Sequence, residues 1–250
     1  MSLSVVIITF NEEHNLPRTL ASVKWADEII VVDSQSTDRT VEIANSFGAK
    51  VFVEPWKGFA AQKNSALDKA SRDWILSLDA DEEVSPELKL ELENVIGDQT
   101  PNEGYYIPRR NLFLKRWIRH GGFYPDAKLR LFRRGAARFE ERLVHEDAQL
   151  TGKTAALTNP LLHHAYPSLS AYIEHMNRDS SLGAEMTVAK GRRGFSLLNI
   201  VLRPIFTFLY NYIFRLGFLD GREGLLLHLY HSVYVSGTYA KAWELSRPIK

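Results

Sequence analysis

The chain has 250 residues, 45% hydrophobic and 24% charged, enough for one large domain or one domain with a tail. It contains no cysteine, which excludes disulfides and thiolate zinc sites and agrees with a reducing compartment. The formal net charge of +1 conceals an asymmetry: residues 1–108 hold 9 Lys/Arg against 19 Asp/Glu, residues 109–142 hold 11 against 3, and residues 143–250 hold 11 against 8. A basic block after an acidic half predicts a phosphate-bearing substrate or partner.

The N-terminus has no basic segment ahead of an apolar core, so no secretory signal is expected. Val5–Ile8 and Ile29–Val32 are short continuous β-branched runs, and Lys50–Val53 and Trp74–Leu78 resemble them. Such runs suit parallel strands covered on both faces. Helical spacing lies between them. Asn15 is expected to cap a helix carrying Leu16, Leu20 and Val23, and Asp38 a second with Val41, Ala44 and Phe47, closed by Gly48. A third helix carries Ala60, Lys63, Ala66, Leu67 and Ala70, and Ser85-Pro86 opens a fourth with Leu88, Leu92, Val95 and Ile96. Alternation of this kind predicts an α/β fold with a doubly wound, mostly parallel sheet. Beyond residue 103 the pattern weakens. Gly104–Pro108, Ala127–Phe132 and Ala155–Leu162 read as strands, Asn111–Pro125 as a basic, aromatic loop or short helix, and Ser168 to Ala189 as one helix.

The chemistry gathers where the strands stop. Strand one runs into Thr9-Phe10-Asn11-Glu12-Glu13, strand two into Asp33-Ser34-Gln35-Ser36-Thr37-Asp38, and strand four into Asp79-Ala80-Asp81. In open α/β sheets ligands bind beyond the carboxyl ends of the strands. In extended backbone, residues i and i+2 point the same way, so Asp79 and Asp81 are expected to converge. Paired hard oxygen ligands suit Mg²⁺ or Mn²⁺ holding phosphate oxygens. No Gly-x-Gly-x-x-Gly and no Gly-x-x-x-x-Gly-Lys-Ser/Thr string is present, which argues against a dinucleotide dehydrogenase and a P-loop enzyme.

The strings Ser4 to Glu12, Val31 to Thr40 and Leu78 to Glu82 resemble family 2 glycosyltransferases with the GT-A fold. Gly58-Phe59-Ala60-Ala61-Gln62-Lys63-Asn64-Ser65-Ala66-Leu67 and Leu143-Val144-His145-Glu146 are similar to the bacterial branch that adds glucose to the lipopolysaccharide inner core. The resemblance covers residues 3–180 and implies a UDP-sugar donor and a divalent metal, Mg²⁺ or Mn²⁺. Carried over by position, it implies that Thr9, Phe10 and Glu12 border the base, that Asp33 contacts uracil, and that Lys63 or Asn64 lies near the donor. Asp79 then contacts the ribose or sugar, and Asp81 ligates the metal beside the pyrophosphate. Inverting transfer needs a base for the acceptor hydroxyl. The resemblance places it at Glu146, with Asp147 in reserve. His163 is a further candidate metal ligand, with His145 as its substitute.

Arg109, Arg110, Lys115, Arg116, Arg119, Lys128, Arg130, Arg133 and Arg134 surround Phe113, Trp117 and Phe123. Arginine suits phosphate and aromatic faces suit sugar rings, so Arg109, Arg110, Trp117 and Arg130 are candidate acceptor ligands. The same charge would suit nucleic acid, but no helix-turn-helix, RRM or zinc pattern accompanies it. A sugar-phosphate nucleotidyltransferase would want a glycine-rich basic loop after strand one; residues 9–15 have no glycine and carry acids. A non-catalytic, membrane-bound sugar-nucleotide binder is the third reading.

Residues 197–218 are strongly apolar, but Arg203 and Arg215 interrupt them, so they fall short of the roughly 20 apolar residues a spanning helix needs. Asn199, Arg203, Thr207, Asn211 and Arg215 draw a polar stripe at every fourth position, with Leu198, Leu202, Ile205, Phe206 and Leu209 opposite. Preceded by Lys190, Arg192 and Arg193, this predicts a helix in a headgroup layer, and with it a peripheral enzyme on the cytoplasmic face of an inner membrane. A core or dimer helix is the alternative. The expected organisation is a catalytic domain over 1–165, with a nucleotide half over 1–100 and an acceptor half over 101–165, then a helical extension over 166–250.

Overall fold

The structure is a computed structural model, described here over residues 2–98, 101–140, 148–191 and 195–247. Its elements are β1 (Leu3–Thr9), α1 (Leu16–Ser22), β2 (Glu28–Asp33), α2 (Thr40–Ser46), β3 (Lys50–Val53), α3 (Phe59–Lys69), β4 (Trp74–Asp79), β5 (Glu82–Val84), α4 (Pro86–Gly97), β6 (Gly104–Ile107), β7 (Arg109–Phe113) and β8 (Arg116–Trp117). They continue as β9 (Lys128–Arg133), β10 (Ala137–Phe139), β11 (Ala148–Leu150), β12 (Thr154–Ala156), β13 (Leu161–Tyr166), α5 (Leu169–Ala189), α6 (Arg203–Leu209) and α7 (Gly221–Leu245). Two compact units emerge, Met1–Arg109 with Asp126–His163, and Arg110–Pro125 with His164–Lys250.

In the first unit a seven-stranded sheet has the order β12-β6-β9-β4-β1-β2-β3. Pairings β4–β1, β1–β2, β2–β3 and β12–β6 are parallel, whereas β9 runs antiparallel to both β4 and β6. The continuous apolar strands are explained by burial on both faces. Val5, Ile7, Ile29, Val31, Leu76 and Leu78 pack against Leu16, Leu20, Leu88 and Leu92 of α1 and α4 on one face. Val6, Ile30, Val32 and Ile75 pack against Ala60, Ala66 and Leu67 of α3, with Leu129 and Phe132, on the other. Ser85 caps α4 by accepting a hydrogen bond from the Leu88 amide at 3.2 Å, with Pro86 at the first helical position. Two expected caps differ. Asn15 makes no side-chain cap and instead donates to Glu12, while Asp38 accepts from the Thr40 amide one step ahead of the helix start. The single strand expected over Ala155–Leu162 is two, β12 and β13, separated by residues 157–160.

In the second unit the stretch expected as a loop or short helix is a hairpin. Leu112 pairs with Trp117 and Phe113 with Arg116, across a two-residue turn in which Leu114 (φ 51°) and Lys115 (φ 67°) both take the left-handed conformation that such turns need. The segment after it is tied to the start of α7. The amides of Arg119 and His120 donate to buried Asp220 at 3.2 and 2.8 Å, and Arg116 pairs with Glu223 at 3.3 Å. At Gly121 (φ 68°) a Cβ would lie 2.0 Å from the His228 ring, so only glycine fits there. α5 and α7 pack along each other, with Tyr172, Met176 and Leu227 in the core of this unit.

Candidate functional site

The carboxyl ends of β1, β2 and β4 meet at one edge because all three run parallel in register, Thr9 opposite Asp33 and Ile8 opposite Asp79. The loops after β1 and β2 are stitched together. Asp33 is fully buried and accepts from Thr9 Oγ1 (2.8 Å) and from the amide and hydroxyl of Ser36 (2.8 and 2.6 Å). Ser36 Oγ in turn accepts from the Asn11 amide, and Asn11 Oδ1 accepts from the Thr37 amide, both at 2.8 Å. Asp33, read as a contact for uracil, is thus occupied in shaping the loop. Thr9 is buried beneath it, and Phe10 lies exposed at the rim. Glu12 is half-buried; burial, and then the nearby charges of Asp81, Asp38 and Asp79, outweigh its Asn15 hydrogen bond and raise its pKa.

The two aspartates of the Asp-x-Asp string have different surroundings. β4 ends at Asp79, and Ala80 and Asp81 form a turn, so strand alternation does not aim both carboxylates as expected. Asp79 lies 2.9 Å from Lys63 Nζ, hydrogen-bonds the Arg130 guanidinium and stands 4.0 Å from Arg109. Burial opposes its charge, but Arg130, Lys63 and Arg109 overturn that and hold its carboxyl well below the usual range. Asp81 faces His163 Nε2 at 3.4 Å. Its burial is likewise offset by His163, which lowers it, while burial of His163 is offset by Asp81, which raises the imidazole. The charge of Asp79 works against His163 and raises Asp81.

Glu82 is the residue that sequence reasoning missed. It is fully buried. One oxygen accepts from Arg130 at 2.7 Å and Arg109 at 3.2 Å, the other from the Asp79 amide at 3.0 Å. Arg109 also pairs with Asp126 at 2.6 Å. A signal for this network existed. Arg130 interrupts the apolar strand Leu129-Arg130-Leu131-Phe132, and a buried guanidinium demands a carboxylate.

The remaining candidates divide. Asn64 donates to the Phe139 carbonyl and accepts from the Phe139 amide, both at 2.9 Å, so its side chain extends β10 rather than facing the acids. Arg109 and Arg130, read as acceptor ligands, are engaged by Asp79, Glu82 and Asp126; with Arg130 only 4% exposed, direct acceptor contact does not fit its placement. Arg110 and Trp117 belong to the second unit, where the guanidinium groups of Arg110 and Arg119 each lie 4.1 Å from the Trp117 ring centre. Glu146, Asp147 and His145 lie outside the described residues.

Among the described residues no three His, Asp or Glu side chains stand together as a complete metal cage. Mg²⁺ and Mn²⁺ do not require one. They take one or two protein ligands and fill the other positions with water and substrate phosphates. Asp81 with His163 fits that mode as a hard carboxylate with an adjacent imidazole, whereas Asp79 is already neutralised by three cations.

A mixed sheet with acidic loops at the carboxyl edge and an antiparallel strand inserted beside β4 is a GT-A-like fold. It is shared with the mannosyltransferase PcManGT from Pyrobaculum calidifontis in complex with GDP-Man and Mn²⁺, at TM-score 0.57 and 15% identity over 96% of this chain and 86% of that one. S. aureus TarS 1–349 in complex with UDP matches at TM-score 0.51 and 18% identity over 98% and 90%. The model of glycosyl transferase family 2 matches residues 4–156, and the chain belongs to that family. An uncharacterized glycosyltransferase of Rickettsia typhi is 34% identical over 241 residues, covering 90% of this chain and 80% of the relative. The lipopolysaccharide core biosynthesis glycosyltransferase LpsC of Rhizobium meliloti is 31% identical over 252 residues, covering 98% and 93%.

Proposed function

We propose that this glycosyltransferase is an inverting, divalent-metal-dependent enzyme that moves a hexose, glucose from UDP-glucose, to a heptose of a lipopolysaccharide core. The observation that carries the reading is the asymmetric acidic pair, Asp79 locked by Lys63, Arg109 and Arg130 while Asp81 faces His163. The likeness to LpsC supports the acceptor class, and the UDP complex of TarS supports the donor class. We assign the cytoplasmic face of an inner membrane as the place of action, and residues 1–165 as the catalytic part.

In this reading Phe10 and Thr9 border the base, and Asp33 holds the Ser36 loop that frames it. Lys63 and Arg130 fix Asp79 toward the ribose or sugar, and Asn64 positions β10 beside α3. Asp81 and His163 would hold Mg²⁺ or Mn²⁺, which when bound offsets the charge gained by the departing diphosphate. Glu146, or Asp147 in its place, removes the proton from the attacking acceptor hydroxyl. Arg110 and Trp117 are assigned to the acceptor.

Two substitutions test this. Asp81→Asn is expected to leave the fold intact, abolish the Mn²⁺-dependent part of thermal stabilisation by UDP, and lower transfer on the order of a hundredfold or more. Near-normal turnover refutes the metal role. Glu146→Gln is expected to keep donor binding and lose transfer, measured as sugar release into truncated core oligosaccharide. Full activity moves the base to Asp147.

A further inference from the structure

The second unit carries its amphipathicity inside out. Leu198–Leu202, α6 and Tyr210–Phe214 form one continuous helical segment whose two end turns are widened to π-helix. Of the polar stripe, Asn199, Thr207 and Asn211 are half-buried, while Arg203 and Arg215 are exposed, where cations can reach a headgroup layer. The segment is fastened to α7 by Ser236 Oγ donating to the Ile200 carbonyl at 2.7 Å, by the Arg203 guanidinium donating to Tyr239 Oη, and by Phe195 against Trp243 at 5.2 Å. The exposed flank is apolar: Leu198 63%, Phe206 65% and Phe214 73% exposed, with Leu202, Ile205 and Leu209 among them. A water-facing helix shows the opposite pattern.

Charge narrows the occupant. Between Glu185 and Asp220 the chain has five Lys/Arg (Lys190, Arg192, Arg193, Arg203, Arg215) and no acid. A second copy docking by two-fold symmetry would bring like charge onto like charge. An anionic bilayer offers both a negative headgroup layer and an apolar interior. The segment does not cross: no described helix is long and apolar enough to do so, and Leu198–Phe214 would span about 25 Å at 1.5 Å per residue with Arg203 inside it.

We propose that residues 195–219 lie in the plane of an anionic lipid leaflet, apolar flank seated at the boundary of headgroups and acyl chains, as the protein's own anchor. This deepens the membrane-surface reading above by naming the anchoring side chains and the lipid charge they need. It is separable from the transferase reading, because vesicle binding requires no donor.

The test is flotation of the full chain with vesicles of phosphatidylethanolamine and phosphatidylglycerol, against pure phosphatidylcholine, with sedimentation velocity in the absence of lipid. Expected are binding to the anionic vesicles, weaker binding to the neutral ones and at high salt, and loss of partitioning by roughly a hundredfold in Phe206→Asp with Phe214→Asp. UDP–Mn²⁺ thermal stabilisation of that variant is expected to match the parent. Where the aspartate pair does not fold, Phe206→Ser with Phe214→Ser carries the test. Wild-type protein that ignores vesicles overturns the anchor. Equal binding to both lipids overturns the charge selectivity, and a stable dimer dissociated by the same substitutions makes the flank a chain–chain interface. Failure of UDP–Mn²⁺ binding with vesicle binding intact refutes the transferase reading and leaves the anchor standing.

Discussion

The two units handle the same materials in opposite ways. The first puts its apolar strands under helices on both faces and draws charged groups inward, each answered by a partner: Glu28 by Lys50, Asp79 by Lys63, Glu82 by Arg109 and Arg130. The second turns aliphatic and aromatic side chains outward along 195–219, and α7 exposes Leu225, Leu229 and Val233 as well. Exposed apolar residues scattered singly need no explanation, but a contiguous run does. The difference teaches that the first unit hides its apolar surface and pairs its buried charge, whereas the second leaves apolar surface exposed, and the anchor proposed above rests on that surface.

The sharpest way to break this comparison is Arg130→Ala. Removing the guanidinium leaves Asp79 and Glu82 short of a partner in a buried place, so a loss of about 3–5 kcal/mol in urea unfolding is expected. A loss under about 1 kcal/mol would show the network to be solvated. Glu28 offers a pH lever. Burial alone would raise its carboxyl, but hydrogen bonds from Lys50, Ser4 and Ser71 bring it down to about 2. The folded value lies below the unfolded 4.5, so its contribution is complete above that pH and disappears as pH falls toward 2. After allowance for solvent screening, Glu28→Gln is expected to cost about 1–2 kcal/mol at neutral pH and to flatten stability loss between those two values. Chemical denaturation across that range measures it. The smallest effect belongs to the second unit. Phe206→Ala is expected to change stability in lipid-free buffer by no more than about 0.5 kcal/mol, because the ring is 65% exposed there. A large loss would place that ring in a packed interface in solution.

Much of the first unit was legible. Apart from β5, the strands and helices through residue 97 follow from local apolar runs, spacing and Ser85-Pro86, and the edge where Thr9, Asp33 and Asp79 meet follows from parallel alternation. The hairpin at Leu112–Trp117 was misread because its turn uses Leu114 and Lys115 with positive φ, where glycine or asparagine would have announced it. Glu82 was missed because its partners, Arg109 and Arg130, are 27 and 48 residues away. Arg130 reads as an acceptor ligand when grouped with its basic neighbours, and as a buried ion-pair partner when weighed against the apolar strand Leu129-Arg130-Leu131-Phe132 that it interrupts. The stripe of Asn199, Arg203, Thr207, Asn211 and Arg215 is legible, but not that Arg203 and Arg215 stay exposed while the other three are half-buried, since periodicity gives the phase of a helix and not its environment.

The amino-acid order alone determined the alternating strands and helices, the acidic strand ends and the unusual apolarity of 197–218. Each of these is set by neighbours within a few residues. Only the tertiary structure decided which aspartate is bound up by cations and which faces His163. That choice depends on β9 lying antiparallel beside β4, with Ile75 opposite Phe132 and Leu76 opposite Leu131. It likewise decided which flank of 195–219 is left exposed, because the segment is held to α7 by Ser236 on the Ile200 carbonyl and by Tyr239 on the Arg203 guanidinium. Strand order and helix docking are long-range pairings, selected by the sum of many contacts, and no short window of sequence contains that sum.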